Sequence, residues 1–197
     1  MRLRIRESVS CEKRHMRKDA NPNDMTVDKG KLMMQMTQDL SEQLGHLLAK
    51  HKHVLVTAES CTGGGVASAV TDIAGSSGWF DRAFVTYSNE AKQEMIGVQL
   101  KTLVEFGAVS EPVVIEMASG ALQHSNGTIS VSISGIAGPG GATEDKPVGT
   151  VCFAWKALNG WDKVETHVFT GDRSQVRQQA THHALQVIYD YLSMEGK

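Results

Sequence analysis

Leu40, Leu44, Leu47 and Leu48 stand at i, i+4, i+7 and i+8, the spacing of one apolar stripe on a helix, so ordered structure is expected from near residue 38. His53-Val-Leu-Val-Thr-Ala58 is short, apolar and rich in β-branched residues, which predicts a buried strand. Ser60-Cys-Thr-Gly-Gly-Gly65 breaks it, and residues 66–73 read as the next helix. Ala83-Phe-Val-Thr-Tyr87 predicts a second strand with Tyr87 as its last residue, followed by a helix over 89–96 that Gly97 closes. Glu111-Pro112 opens another helix to about residue 124, with proline in the first turn where its missing N–H costs nothing.

Residues 128–134 alternate β-formers and serines and predict a strand ending in Gly135-Ile-Ala-Gly-Pro-Gly-Gly141. Two β-rich runs, 149–158 and 163–170, are joined by Asn159-Gly160, a strong hairpin signal. Residues 173–192 form a long closing helix with Val176, Ala180, Ala184, Val187, Ile188 and Tyr191 on its inner side. Interleaved helices and strands, then a hairpin, then a helix, predict an α/β fold: a three-layer α/β/α sandwich with a mixed β-sheet.

Composition narrows the class. At 197 residues, with 41% hydrophobic and 21% charged, the chain suits one globular domain plus at most an appendage. No uncharged apolar run approaches the roughly 18 to 20 residues of a membrane-spanning helix, so no membrane partner is expected. Cys11, Cys61 and Cys152 are too few and scattered for a disulfide framework or a zinc site, and a cytoplasmic location is expected. The eight histidines show no HExxH or comparable spacing, so no metal is expected either.

A net charge of −2 argues against a dedicated nucleic-acid binder, but the charge is uneven. Residues 1–18 carry seven basic residues against Glu7 and Glu12, a local +5 that leaves the remainder at −7. The expected division is therefore a basic, disordered N-terminal extension over 1–35 and a folded domain over 36–197. The extension reads as a nucleic-acid arm, an organellar targeting peptide, or a plain tail from an overlong reading frame starting truly at Met25 or Met36. It lacks the apolar stretch of a secretory leader.

Four segments are placed to carry chemistry. In Thr57-Ala-Glu-Ser-Cys-Thr-Gly-Gly-Gly65 a hydroxyl stands where a buried strand gives way to a helix, beside N–H groups and a positive dipole end suited to an oxyanion. Ser60 or Thr62 serves there equally as a helix cap, and Cys61 is a rival nucleophile without a nearby histidine. No lysine follows the glycines, which rules out a phosphate loop of the GxxxxGK[ST] kind. Val85-Thr-Tyr-Ser-Asn-Glu-Ala-Lys92 is a second strand-to-helix junction, bringing Tyr87 and Lys92 to the same sheet edge. A lysine acts as base only if burial lowers its pKa well below about 10.4; otherwise Lys92 is an ordinary helix lysine. The loop from Gly135 through Gly138 to Gly141 offers backbone amides for phosphate or ribose, or is a sharp turn. In Thr170-Gly-Asp-Arg-Ser-Gln-Val-Arg177, Asp172 reads as an N-cap and Arg173 as an anion contact or a solvated side chain.

Taken together, Ala58-Glu-Ser-Cys-Thr-Gly-Gly64, Tyr87-Ser-Asn-Glu-Ala-Lys92, Gly107-Ala-Val-Ser-Glu111, Ser134-Gly-Ile-Ala-Gly-Pro139, Lys146-Pro-Val-Gly-Thr150 and Gly171-Asp-Arg173 resemble the nicotinamide-nucleotide amidohydrolase family, the same unit as the C-terminal domain of CinA-type proteins. The resemblance covers about residues 38–193 in order. It implies hydrolysis of the carboxamide of nicotinamide mononucleotide to nicotinic acid mononucleotide and ammonia, in pyridine nucleotide (NAD) salvage, without cofactor or metal. Ser60 is then the nucleophile, Lys92 its general base and Tyr87 the third member, holding the lysine or relaying the proton. Thr62, Gly63 and Gly64 are the first choice for substrate binding, with Gly135, Gly138 and Arg173 the second. A homo-oligomer is implied as well. The competing reading is a catalytically silent nucleotide-binding or regulatory module of the same family.

Overall fold

The computed structural model describes residues 22–195, with side-chain environments from residue 30 onward. The basic stretch over 1–18 lies outside the described residues. The chain runs α1 (Pro22–His51), β1 (Leu55–Glu59), α2 (Gly65–Thr71), a single 3-10 turn (Ser76–Gly78), β2 (Phe80–Val85), α3 (Asn89–Ile96), α4 (Leu100–Phe106), α5 (Glu111–Gln123), β3 (Ile129–Gly135), β4 (Thr150–Ala157), β5 (Asp162–Val168) and α6 (Arg173–Met194). Among the described residues no helix is long and apolar enough to cross a membrane.

The five strands form one mixed sheet in the order β2-β1-β3-β4-β5. β2, β1 and β3 are parallel, and the β4–β5 hairpin continues the sheet antiparallel. One face, with Leu55, Val131, Phe153 and Trp155, packs under α1, α2 and α6; the other, with Val56, Ala58, Cys152 and Ala154, packs under α3, α4 and α5. The three-layer expectation therefore holds. β1 leads into α2 on one face of the sheet and its neighbour β2 leads into α3 on the other, so the connections at the carboxyl ends of these strands diverge. That is the place where open α/β sheets gather ligands.

Two elements differ from expectation. The leucine stripe belongs to a longer helix than predicted, so 22–51 is one helix and the 35/36 boundary falls inside it. Strong helix formers over 31–36 carry the helix on without an inward stripe, as the exposure of Leu32, Met34 and Met36 shows. The short α4 went unpredicted because Leu100 and Val104 on it face outward. The alternation in β3 does not mark a wet face. Ser130, Ser132 and Ser134 are all buried, donating to the carbonyls of Ala118, Val114 and Ala108 at 3.0, 2.6 and 2.7 Å. Small hydroxyl residues there let α5 settle closely on the sheet.

The same closeness governs how α3 meets α5. A Cβ built on Gly120 would stand 1.9 Å from the carbonyl oxygen of Ile96 at the end of α3. Backbone cannot yield cheaply, so Gly120→Ala is expected to destabilise the fold by about 1–3 kcal/mol. Denaturant unfolding checks this, and an unchanged midpoint would show that α3 and α5 separate freely.

Candidate active site

β1 delivers Ser60 to the carboxyl edge of the sheet, and its N–H still pairs with the Ile133 carbonyl at 2.9 Å. α3 starts beyond the end of neighbouring β2, capped by the Ser88 hydroxyl, which accepts from the Ala91 amide. One turn in, Lys92 points back under the sheet edge, where it is 1% exposed. Its Nζ donates to Ser60 Oγ at 3.1 Å and to the Thr86 carbonyl at 2.8 Å. Among the described residues no carboxylate lies within salt-bridge distance of this amine. Burial accordingly lowers the Lys92 pKa, and the nearby Cys61 opposes it only in part. The two junctions do converge.

Tyr87 stands apart from that pair. It lies two residues past the end of β2, not at its last position, and is 62% exposed. Its hydroxyl accepts from Arg173 Nη2 at 3.1 Å, not from the lysine. Arg173, in the first turn of α6, also donates to the Gly138 carbonyl at 2.8 Å, so it ties the ends of β2 and β3 together. Asp172 caps α6 in a reciprocal box with Gln175, as predicted.

The loop after Ser60 is organised by two residues to which the sequence reading assigned no role. Glu59 is fully buried and accepts from Thr57 Oγ1 at 3.2 Å, Thr62 Oγ1 at 2.8 Å, the Val66 N–H at 3.1 Å and the Ala67 N–H at 2.9 Å. Arg177 donates from the other side to the carbonyls of Cys61 at 3.1 Å and Thr62 at 2.7 Å. An acid closing a buried strand just before a glycine-rich turn was the signal for Glu59. Nothing local announced Arg177.

Much of the turn is already engaged by these and neighbouring bonds. The first amides of α2 are not open to an anion, because Glu59 already occupies them. The Thr62 side chain is buried, its hydroxyl donating to Glu59. The Gly63 and Gly65 amides are engaged by the carbonyls of Ser60 and Thr62. Among the described residues, the N–H groups left without an acceptor here are those of Cys61, Thr62 and Gly64. Gly63 and Gly64 take φ of 59° and 90°, which glycine adopts without strain. Gly135 is wanted for closeness: a Cβ would stand 3.0 Å from Cys61 Sγ. Burial pushes the Cys61 thiol up to about 12, which disfavours the thiolate that a cysteine nucleophile needs. A cavity of about 480 Å³ opens behind this loop, bounded by Met33, Thr37, Ser68, Asp72, Ser174 and Arg177, with neither Ser60 nor Lys92 in its wall.

The model of the CinA C-terminal domain family matches residues 37–192. A nicotinamide-nucleotide amidohydrolase of Escherichia coli strain K12 is 58% identical over 150 residues, 76% of this chain and 91% of that protein. A protein of the same name from Enterobacter agglomerans is 51% identical over 75% of this chain and 90% of its own length. Among solved structures, a competence/damage-inducible protein from Agrobacterium tumefaciens superposes with a TM-score of 0.78 at 41% identity, covering 81% of this chain and 96% of that one.

Proposed function

From the premise that the chain belongs to the CinA C-terminal domain family, we propose that it is an amidohydrolase that converts nicotinamide mononucleotide to nicotinic acid mononucleotide and ammonia, in NAD salvage. The similarity to the named amidohydrolases supports the activity. The observation that carries the mechanism is the 3.1 Å contact between Ser60 Oγ and a buried lysine that no carboxylate neutralises.

Neutral Lys92 accepts the hydroxyl proton as Ser60 Oγ attacks the carboxamide carbon, forming a tetrahedral oxyanion. The free N–H groups of Cys61, Thr62 and Gly64 are the donors available to that charge; one such donor contributes roughly 3–4 kcal/mol in comparable enzymes. The ammonium of Lys92 then gives its proton to the departing nitrogen, ammonia leaves, and an acyl ester remains on Ser60. Water attacks that ester with the same amine as base, releasing the acid and restoring the hydroxyl. Tyr87 and Arg173 act at the rim, with the guanidinium's remaining donors turned to the substrate phosphate. A relay through Tyr87 would require its phenol to leave Arg173.

Ammonia release from nicotinamide mononucleotide tests this. Ser60→Ala is expected to lose at least about 1,000-fold in kcat. A fully active variant would remove Ser60 as nucleophile, and substrate binding without turnover by the unmodified protein would favour the silent module.

A further inference from the structure

A second cluster of chemically capable side chains lies away from Ser60. Glu165 and His167 stand at i and i+2 on β5, so both leave the same face of the strand, and the middle of α6 brings His183 down onto them. One ligating atom from each lies within 4.8 Å of the others. Glu165 Oε2 is 2.9 Å from His183 Nε2 and 3.1 Å from His167 Nε2. In a tetrahedral zinc site with bonds of about 2.0–2.1 Å, neighbouring ligand atoms are roughly 3.3 Å apart, so a small expansion would seat an ion among these three.

We propose that Glu165, His167 and His183 bind a divalent ion of the zinc class at the seam between β5 and α6. Two imidazoles and one carboxylate suit such an ion and leave a fourth position for water, which reaches the site past His167, 41% exposed in its side chain. The surroundings hold the ligands in place. Phe153 meets the His183 ring edge-on at 5.0 Å, and Phe169 stacks on His167 at 5.8 Å. Lys163 Nζ pairs with the other carboxylate oxygen, Glu165 Oε1, at 2.6 Å, orienting the group and leaving Oε2 to the ion, as outer-shell partners do in established sites. On binding, each imidazole offers its Nε2 lone pair and carries its proton on Nδ1. β5 is the edge strand of the sheet, so the ion would fasten an otherwise one-sided strand to the C-terminal helix α6.

Titration of the full chain, cleared of metal, with Zn2+ in a calorimeter and with Co2+ by visible absorption tests the proposal. One ion per chain, a Co2+ spectrum of low coordination number and a Tm that rises with added Zn2+ are expected. Glu165→Gln, which keeps the side chain's shape, and His167→Ala, at a partly exposed position, should each weaken binding by at least the roughly 10–100-fold that even outer-shell changes cost. Ser60→Ala should bind as the unmodified chain does, which separates this site from the amidase reading. Absence of Zn2+ binding, or binding that neither ligand variant disturbs, would overturn it.

Discussion

Lys92→Met lowers kcat/KM for amide hydrolysis on the order of 1,000-fold, the range expected when a positioned general base is removed. Methionine nearly fills the same volume, so the loss reports the missing amine and not a collapsed core. The pH profile carries the sharper test. Burial places Lys92 below the ordinary lysine range, so activity should rise with pH as the amine loses its proton, and this limb should vanish in whatever activity Lys92→Met retains. Stability has a linked sign. The folded state holds that proton more weakly than the unfolded chain, so Lys92 contributes an increase in unfolding free energy as pH rises from its lowered folded pKa towards about 10.4. The difference in unfolding free energy between the unmodified chain and Lys92→Met should therefore move in favour of the unmodified chain with rising pH. Movement in the other direction, or an unaltered acid limb, would show that the lysine is charged while the enzyme works.

Glu59→Ala destabilises the fold by about 3–5 kcal/mol, at the extreme of single substitutions, because two hydroxyls and two helix amides lose their buried acceptor together. Glu59→Gln separates stability from positioning. The amide keeps the shape and one acceptor, but its NH2 faces donors, so the turn after Ser60 must shift. A displacement near 1 Å is enough to cost about 100-fold in kcat. A folded Glu59→Gln with full kcat would reduce the carboxylate to a helix cap. A lowered kcat with an unchanged KM, in a protein of near-native Tm, would identify it as the residue that aims the nucleophile.

Local rules explain what could be read in advance. Leu40, Leu44 and Leu48 face one way on α1; Asn159-Gly160 turns a hairpin; Asp172 caps α6 and Gly97 closes α3. Ser60 and Lys92 were legible because each follows a strand end, and adjacent parallel strands bring their carboxyl ends to one edge. What escaped depends on distant pairing. The serines of β3 look like a solvent face until α5 covers them. The strand before Tyr87 ends two residues sooner than its β-formers suggest, at Val85, and the Tyr87 phenol is held by Arg173 and not by the lysine. Glu59 and Arg177 are ordinary charged residues until the fold buries one and turns the other onto two carbonyls. Glu165, His167 and His183 have no diagnostic spacing, because strand and helix contribute separately.

Arg173 and Arg177 are one helical turn apart on α6, and between them they grip the chain after β1, after β2 and after β3. A single rod thus sets the phase of three loops that never touch one another through these bonds. One residue added or removed within α6 between Arg173 and Arg177 would turn the two guanidinium groups about 100° out of phase, so that one of them loses its loop. The exposed stretch over 140–145 carries no such gearing, so lineages and designers alike should find length variable there and rigid at 173–177.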